Sequence, residues 1–528
     1  MSTVATRSFH DIRRALLAHE ELALIDVREE DPFAQEHPLF AANIPLSKLE
    51  LEVFARVPRR DTAITLYDDG EGLAALAGAR LSALGYSDVA LLEGGLAGWR
   101  AAGGELFRDV NVPSKAFGEL VESERHTPSL AAEQVQALLD AKADMVVLDA
   151  RRFDEYQTMS IPGGISVPGA ELLLRVAELA PNPATQVIVN CAGRTRSIIG
   201  TQSLVNAGIP NPVAALRNGT IGWTLAGQQL AHGQQRSFAP VSDSTRASAA
   251  DRARAVADRA SVARLNREGL AAWQAEHHRT TYLFDVRTPE EFALGHLPAS
   301  RSVPGGQLVQ ETDHVASVRG ARIVLLDDDG VRANMSASWL AQMGWQVAVL
   351  DGLSTADFSE PGDWQAPLPE QPQVNEIDVD QLQTWLQAPG TVLLDFTTSA
   401  NYVKRHIPGA HWAIRAQLPQ VLEHLPVAER YVLTCGSSLL ARFAAVDLQA
   451  LTHTPVYVLE GGTARWIAAG QPLESGETHL AVARSDRYRR PYEGTDNPRE
   501  AMQGYLDWEF GLIAQLERDG THGFHVLN

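Results

Sequence analysis

Asn190-Cys191-Ala192-Gly193-Arg194-Thr195-Arg196-Ser197 follows the apolar run Gln186-Val187-Ile188-Val189 and precedes a helix-like stretch that begins near Ile198. The pattern reads as strand, loop and helix. A cysteine between a strand end and a helix start sits where free backbone N–H groups and the positive end of the helix dipole converge. Arg194 and Arg196 add positive charge within the same loop. A free thiol is only about 3% ionised at neutral pH, and the thiolate is the reactive form. Lowering its pKa by two units takes roughly 2.7 kcal/mol. A helix terminus contributes up to ~2 kcal/mol, so helix and arginines together are expected to favour the thiolate.

The surroundings of Cys191 recur, altered, at three other places. An apolar run ends in Asp at Asp26, Asp149, Asp285 and Asp395, and Arg28, Arg151 and Arg287 follow two residues later in the first three copies. The fourth copy has Thr397 there. An Ile-Pro or Leu-Pro step comes next, at Pro45, Pro162, Pro298 and Pro408. A second apolar run then enters a loop and a helical stretch, which Gly85, Gly208 and Gly344 are placed to end as C-cap glycines. A third run leads to a glycine turn, closed by Trp99, Trp223 and Trp466 in three copies.

Spacing ties the copies together. From the Asp to the first loop residue, taken as Asp68, Cys191, Asp328 and Cys435, the separations are 42 (26 to 68), 42 (149 to 191), 43 (285 to 328) and 40 (395 to 435). Strands alternating with helices predict βα units on a parallel sheet covered on both faces, with ligand sites at the carboxyl ends of the strands. The units are read as 8–103, 127–233, 265–352 and 374–470, with a tail over 471–528. A short linker through Ser114 follows the first unit, and Ser242 to Ala263 reads as a solvated helical linker. Pro361, Pro367, Pro369 and Pro372 mark the passage into the fourth unit, and the tail carries a predicted helix from Pro498 to Arg518.

The 528-residue length matches roughly three or four domains. A net charge of −20 argues against a nucleic-acid or anionic-membrane binder. No stretch approaches the ~18 apolar residues of a membrane span, and no signal peptide is read at the N-terminus. Two cysteines, Cys191 and Cys435, fit a reducing, cytoplasmic setting better than a lone disulfide.

Asp285-Val286-Arg287 followed by Gly295-His296-Leu297-Pro298-Ala299, together with His406-Ile407-Pro408-Gly409-Ala410, resembles the rhodanese homology domain. The Cys191 loop resembles that family's active-site loop. The resemblance implies an α/β chain of four tandem rhodanese-like domains, each a parallel sheet flanked by helices, plus a helical C-terminal tail. It also implies a sulfurtransferase that moves a sulfane sulfur through a cysteine persulfide. Cys191 would carry the sulfur. The backbone from Ala192 through Gly193, Arg194, Thr195 and Arg196 to Ser197 would cradle it, and Arg194 and Arg196 would attract a small anionic donor such as thiosulfate. A thiol or cyanide would be the acceptor. No metal or organic cofactor is required.

Asp68 and Asp328 in the cysteine slot make the first and third copies inactive on this reading. Cys435 is a second candidate site. Its loop, Cys435-Gly436-Ser437-Ser438-Leu439-Leu440, opens like a mercaptopyruvate-type loop but has no arginine. A buried inert thiol is the plainer reading.

Other chemistries fit less well. A phosphatase loop needs five residues between Cys and Arg, and only four separate Cys191 from Arg196. Gly70-Glu71-Gly72-Leu73-Ala74-Ala75 matches a dinucleotide fingerprint. It coincides with the slot loop of copy one, however, and its acids would oppose a pyrophosphate. No metal-ligand spacing occurs. A binding or sulfur-trafficking scaffold is the alternative from another class, and such a scaffold has no need of the cationic loop. Asp149 and Arg151 read as a fold-maintaining ion pair. The sequence does not reveal the oligomeric state.

Overall fold

The structure, a computed structural model, describes residues 5–528. Four five-stranded sheets follow one another, and all their strands pair in parallel with the same order. In the second copy the strands are β1 (Ser129–Leu130), β2 (Met145–Asp149), β3 (Ile165–Ser166), β4 (Gln186–Asn190) and β5 (Val213–Leu216), in the order β1-β5-β4-β2-β3. β4 is central, buried and apolar, as a parallel strand covered on both faces must be. Its carboxyl end delivers Cys191.

The repeated residues brace each unit. The guanidinium of Arg151 grips Asp149 at 2.7 and 2.8 Å and donates to the carbonyl of Met159 at 2.6 Å. Arg28 and Arg287 repeat the brace, each on its own Asp and a carbonyl eight residues on. With Thr397 in place of the arginine, burial pushes the Asp395 carboxyl up to about 6. Trp99, Trp223 and Trp466 each donate to a carbonyl six residues ahead. Gly85, Gly208 and Gly344 take positive φ just past their helices, as C-cap residues do.

Helix α1 (Val112–Arg125) joins copies one and two, and α2 (Thr195–Asn206) follows the Cys191 loop. Helix α3 (Asp243–Arg259) lies where a solvated linker was expected. It is instead packed, burying Ala249, Ala253, Val256 and Ala257 between copies two and three. Its buried stripe is alanine and valine at helical spacing, too weakly apolar to stand out from the charged residues around it. The predicted tail helix is two, α4 (Arg499–Phe510) and α5 (Leu512–Asp519), which meet at Gly511.

The four copies share surfaces. Copies one and three merge into one apolar core that takes in Phe117 of α1 and Phe524 of the tail. Copies one and four are joined by the buried pair Glu50–Arg415, at 2.6 and 2.9 Å. Gly169 of copy two meets Gly306 of copy three so closely that a Cβ on Gly306 would lie 3.0 Å from the Gly169 nitrogen. Among the described residues no helix is long and apolar enough to cross a membrane.

Candidate active site

Cys191 is 2% exposed and unpaired, as is the buried Cys435. Its sulfur lies 3.4 Å from the hydroxyl of Ser197, which itself donates to the Arg194 carbonyl at 2.8 Å. The loop's outward carbonyls are tied down from the next turn. Thr220 and Ile221 donate their N–H groups to Cys191 and Ala192 at 2.9 and 3.0 Å. Gly219 makes this approach workable: its φ is +55°, and a Cβ there would lie 2.3 Å from the Cys191 carbonyl oxygen. Thr195 is buried at the start of α2, against Gly118 of α1. Asn190 anchors the end of β4 by donating to Asp149 at 2.9 Å.

The two loop arginines are not free cations. Arg194 is held by Glu119 of α1 at 2.7 and 2.8 Å, pairs with Glu122, and lies over the ring of Phe510. Arg196 forms a two-pronged pair with Glu155 at 2.8 and 2.9 Å. The expected thiolate-favouring field is therefore weak in this state. Burial pushes the Cys191 thiol above its ordinary value, and the pull of Arg196 and the hydrogen bonds from Ser197 offset this only in part. Arg196 remains the arginine whose charge acts on the sulfur.

The tail closes the site. A Cβ on Gly193 would lie 3.1 Å from the Tyr505 ring and 3.3 Å from Glu509 Oε2, so α4 rests directly on the loop. Met502, Tyr505 and Leu506 pack with Ile221 in a small apolar cluster. Tyr505 donates to Glu509 Oε1 at 2.8 Å, while buried Oε2 has no partner. Burial pushes the Glu509 carboxyl up to about 8, with Glu119 adding to the rise and Lys115 opposing it. Sequence reasoning missed both Glu509 and Glu119. The aromatic pair Trp508 and Phe510 signalled only that the tail helix docks.

The sister loops show what the slot is built to hold. In copy one the Asp68 carboxylate accepts from the N–H groups of Gly70 and Ala74 at 3.0 and 2.9 Å. In copy three the carboxylate so placed is Asp327, accepting from Gly330 and Ala333 at 2.9 and 2.7 Å. The slot residue of copy three is thus Asp327 and not Asp328. Register decides it: Asp285 pairs with Leu326 as Asp149 pairs with Asn190, so the next residue corresponds to Cys191. The corrected separation is 42 (285 to 327), and Arg332, paired with Glu291, stands where Arg196 stands beside Glu155. In copy four, N–H groups of Ser437, Leu440 and Ala441 face the Cys435 sulfur, but burial dominates and pushes this thiol up as well. Phe396, Leu440 and Ala444 share its apolar cluster.

The rhodanese-like domain model matches residues 10–102, 131–226, 247–354 and 378–469. The chain belongs to the rhodanese family. Each matched segment covers at least four of the five strands of one sheet. Across 99% of its length it is 78% identical to all of a thiosulfate sulfurtransferase from Pseudomonas aeruginosa, with a TM-score of 0.99. A protein from Anabaena sp. is 25% identical over 20% of this chain and 84% of its own (TM-score 0.19), and a rhodanese-related protein from Thermoplasma volcanium is 19% identical over 19% and 97% (TM-score 0.18). A search of curated proteins returned no match. Among the described residues no group of three metal-ligating side chains occurs.

Proposed function

We propose that this rhodanese is a thiosulfate-type sulfurtransferase that works by double displacement through Cys191. The Cys191 thiolate attacks the outer sulfur of thiosulfate or a related sulfane donor. The donor's S–S bond breaks and its electron pair leaves on sulfite. A thiol or cyanide then attacks the outer sulfur of the resulting persulfide and returns Cys191 to the thiolate. Arg196 and the backbone N–H of Ser197 stabilise the negative sulfur in both resting and loaded forms, and Arg194 holds the loop's shape through Glu119.

One observation carries the assignment. Of the four equivalent slots, Cys191 alone combines a sulfur with an arginine five residues on; copies one and three fill the slot with their own carboxylates, and copy four surrounds its cysteine with apolar side chains. The two unpaired cysteines fit a cytoplasmic setting. Intact mass after incubation with thiosulfate is the test. A gain of one sulfur, kept in Cys435→Ala and lost in Cys191→Ala, is expected. Absence of an adduct on either cysteine would overturn the reading.

A further inference from the structure

Cys191 is buried, so part of what stands over its loop must move before a donor or acceptor meets the sulfur. Three groups hold the loop. Glu119 of α1 grips Arg194, Glu155 grips Arg196, and Tyr505 and Glu509 of α4 lie on Gly193. The first two grips are two-pronged ion pairs, and α1 is fixed in the core of copies one and three through Phe117 and Val121. Helix α4 is attached in another way.

The chain is pinned on both sides of α4. Before it, the Ser485 carbonyl accepts from the N–H of Asp31 at 3.1 Å, Asp486 accepts from the N–H of Ser399 at 2.8 Å, and the N–H of Tyr488 donates to Glu30 at 3.0 Å. After it, α5 sinks Leu512 and Leu516 into the core of copies one and three, and Gln515 donates to the Leu106 carbonyl at 2.8 Å. Helix α4 itself packs in the small cluster of Ile221, Met502, Tyr505 and Leu506, with the Lys115 ammonium 5.2 and 5.5 Å from the rings of Tyr505 and Trp508. Among the described residues, its side-chain hydrogen bonds to the body of the protein come from Arg499 alone, on the carbonyls of Thr224 and Leu225. Docking also buries Glu509 Oε2 without a partner, which works against the closed position.

We infer that α4 is a hinged lid over the Cys191 loop, which lifts while α5 and the Ser485–Tyr488 segment stay in place, and that its opening admits reactants to the sulfur. The inference rests on the reading of Cys191 as the sulfur carrier. Small, locally held elements are the ones that open without global unfolding, and α4 is the cover with the least core beneath it. Gly511, at the junction with α5, lets the backbone turn there at little steric cost. Closed, the lid keeps water and stray nucleophiles from a loaded sulfur, as active-site lids do.

Hydrogen exchange of the full chain, read by mass spectrometry in a Cys435→Ala background, separates the lid from its anchors. Amides of α4 are expected to exchange about tenfold or more faster than those of α5, since the lid opens locally and α5 opens with the core. Met502→Ala removes part of the apolar clasp without touching Gly193. It should raise α4 exchange and the iodoacetamide alkylation rate of Cys191 by one common factor, about fivefold or more, with α5 exchange unchanged. Arg499→Ala, a change at the exposed start of α4, should move both readouts in the same direction and stands as the test if Met502→Ala unfolds the tail. Equal exchange of α4 and α5, or an alkylation rate unmoved in both variants, would overturn the inference. Failure of the thiosulfate adduct would overturn the activity reading instead, since neither measurement requires sulfur transfer.

Discussion

Arg194 and Glu119 form a two-pronged ion pair, at 2.7 and 2.8 Å, with both side chains almost wholly buried. It bolts the Cys191 loop to α1. Removing one member of a buried pair strands the other's charge and typically costs 3–5 kcal/mol. Glu122 stays near Arg194, so Glu119→Ala is expected to cost about 3 kcal/mol, read as a lowered thermal unfolding midpoint. A midpoint within the noise of wild type would show that Glu122 alone satisfies Arg194.

Arg196 pulls against the burial that raises the Cys191 thiol, and Glu155 holds Arg196 in a pair. Burial raises the Glu155 carboxyl, but Arg196 outweighs it and holds the group down at about 2, so the pair persists throughout the working pH range. The Cys191 thiol, pushed up by burial, gains thiolate only as pH rises. Alkylation of Cys191 in a Cys435→Ala background should therefore climb through pH 7 to 9 without a plateau. Glu155→Gln releases the charge of Arg196 toward the sulfur, and the profile should move about one unit toward acid. An unmoved profile would remove Arg196 from this role.

The Glu509 carboxyl, pushed up to about 8, titrates with the opposite consequence for stability. Below its ordinary value of 4.5 it is protonated whether the tail is docked or free. Between 4.5 and about 8 the free form ionises and the docked form does not, so docking weakens as pH rises and the full cost is present above 8. Glu509→Gln should raise the unfolding midpoint more at pH 8 than at pH 5. An equal effect at both pH values would mean that the buried carboxyl is not held neutral.

Tyr505 covers Gly193 at van der Waals range and is itself 5% exposed. Tyr505→Ala opens that cover, and the alkylation rate of Cys191 at fixed pH should rise about tenfold or more, as a buried thiol becomes accessible. An unchanged rate would mean that the reagent reaches the sulfur by another path.

The four-fold repeat, the parallel sheets and the loop around Cys191 were legible in the sequence. Each depends on neighbours along the chain: an apolar strand, an Asp and Arg two residues apart, a glycine after a helix. The one-residue slip in copy three, Asp328 for Asp327, marks where such reasoning stops. Spacing places a loop, but the pairing of Asp285 with Leu326 fixes which residue enters the slot. Helix α3 forms as expected, but its burial was not legible for a related reason, since its packing partners belong to two other units.

Sequence alone determined that the chain is built of rhodanese-type units and that one loop carries both a cysteine and arginines. Tertiary structure decided the electrostatic state of that loop. Arg194 meets a glutamate 75 residues away, Arg196 meets one 41 residues away, and Gly193 is covered by the C-terminal tail. Charges and burial act through space, so a loop that reads as cationic and open along the chain is neutralised and closed once the four units and the tail pack together.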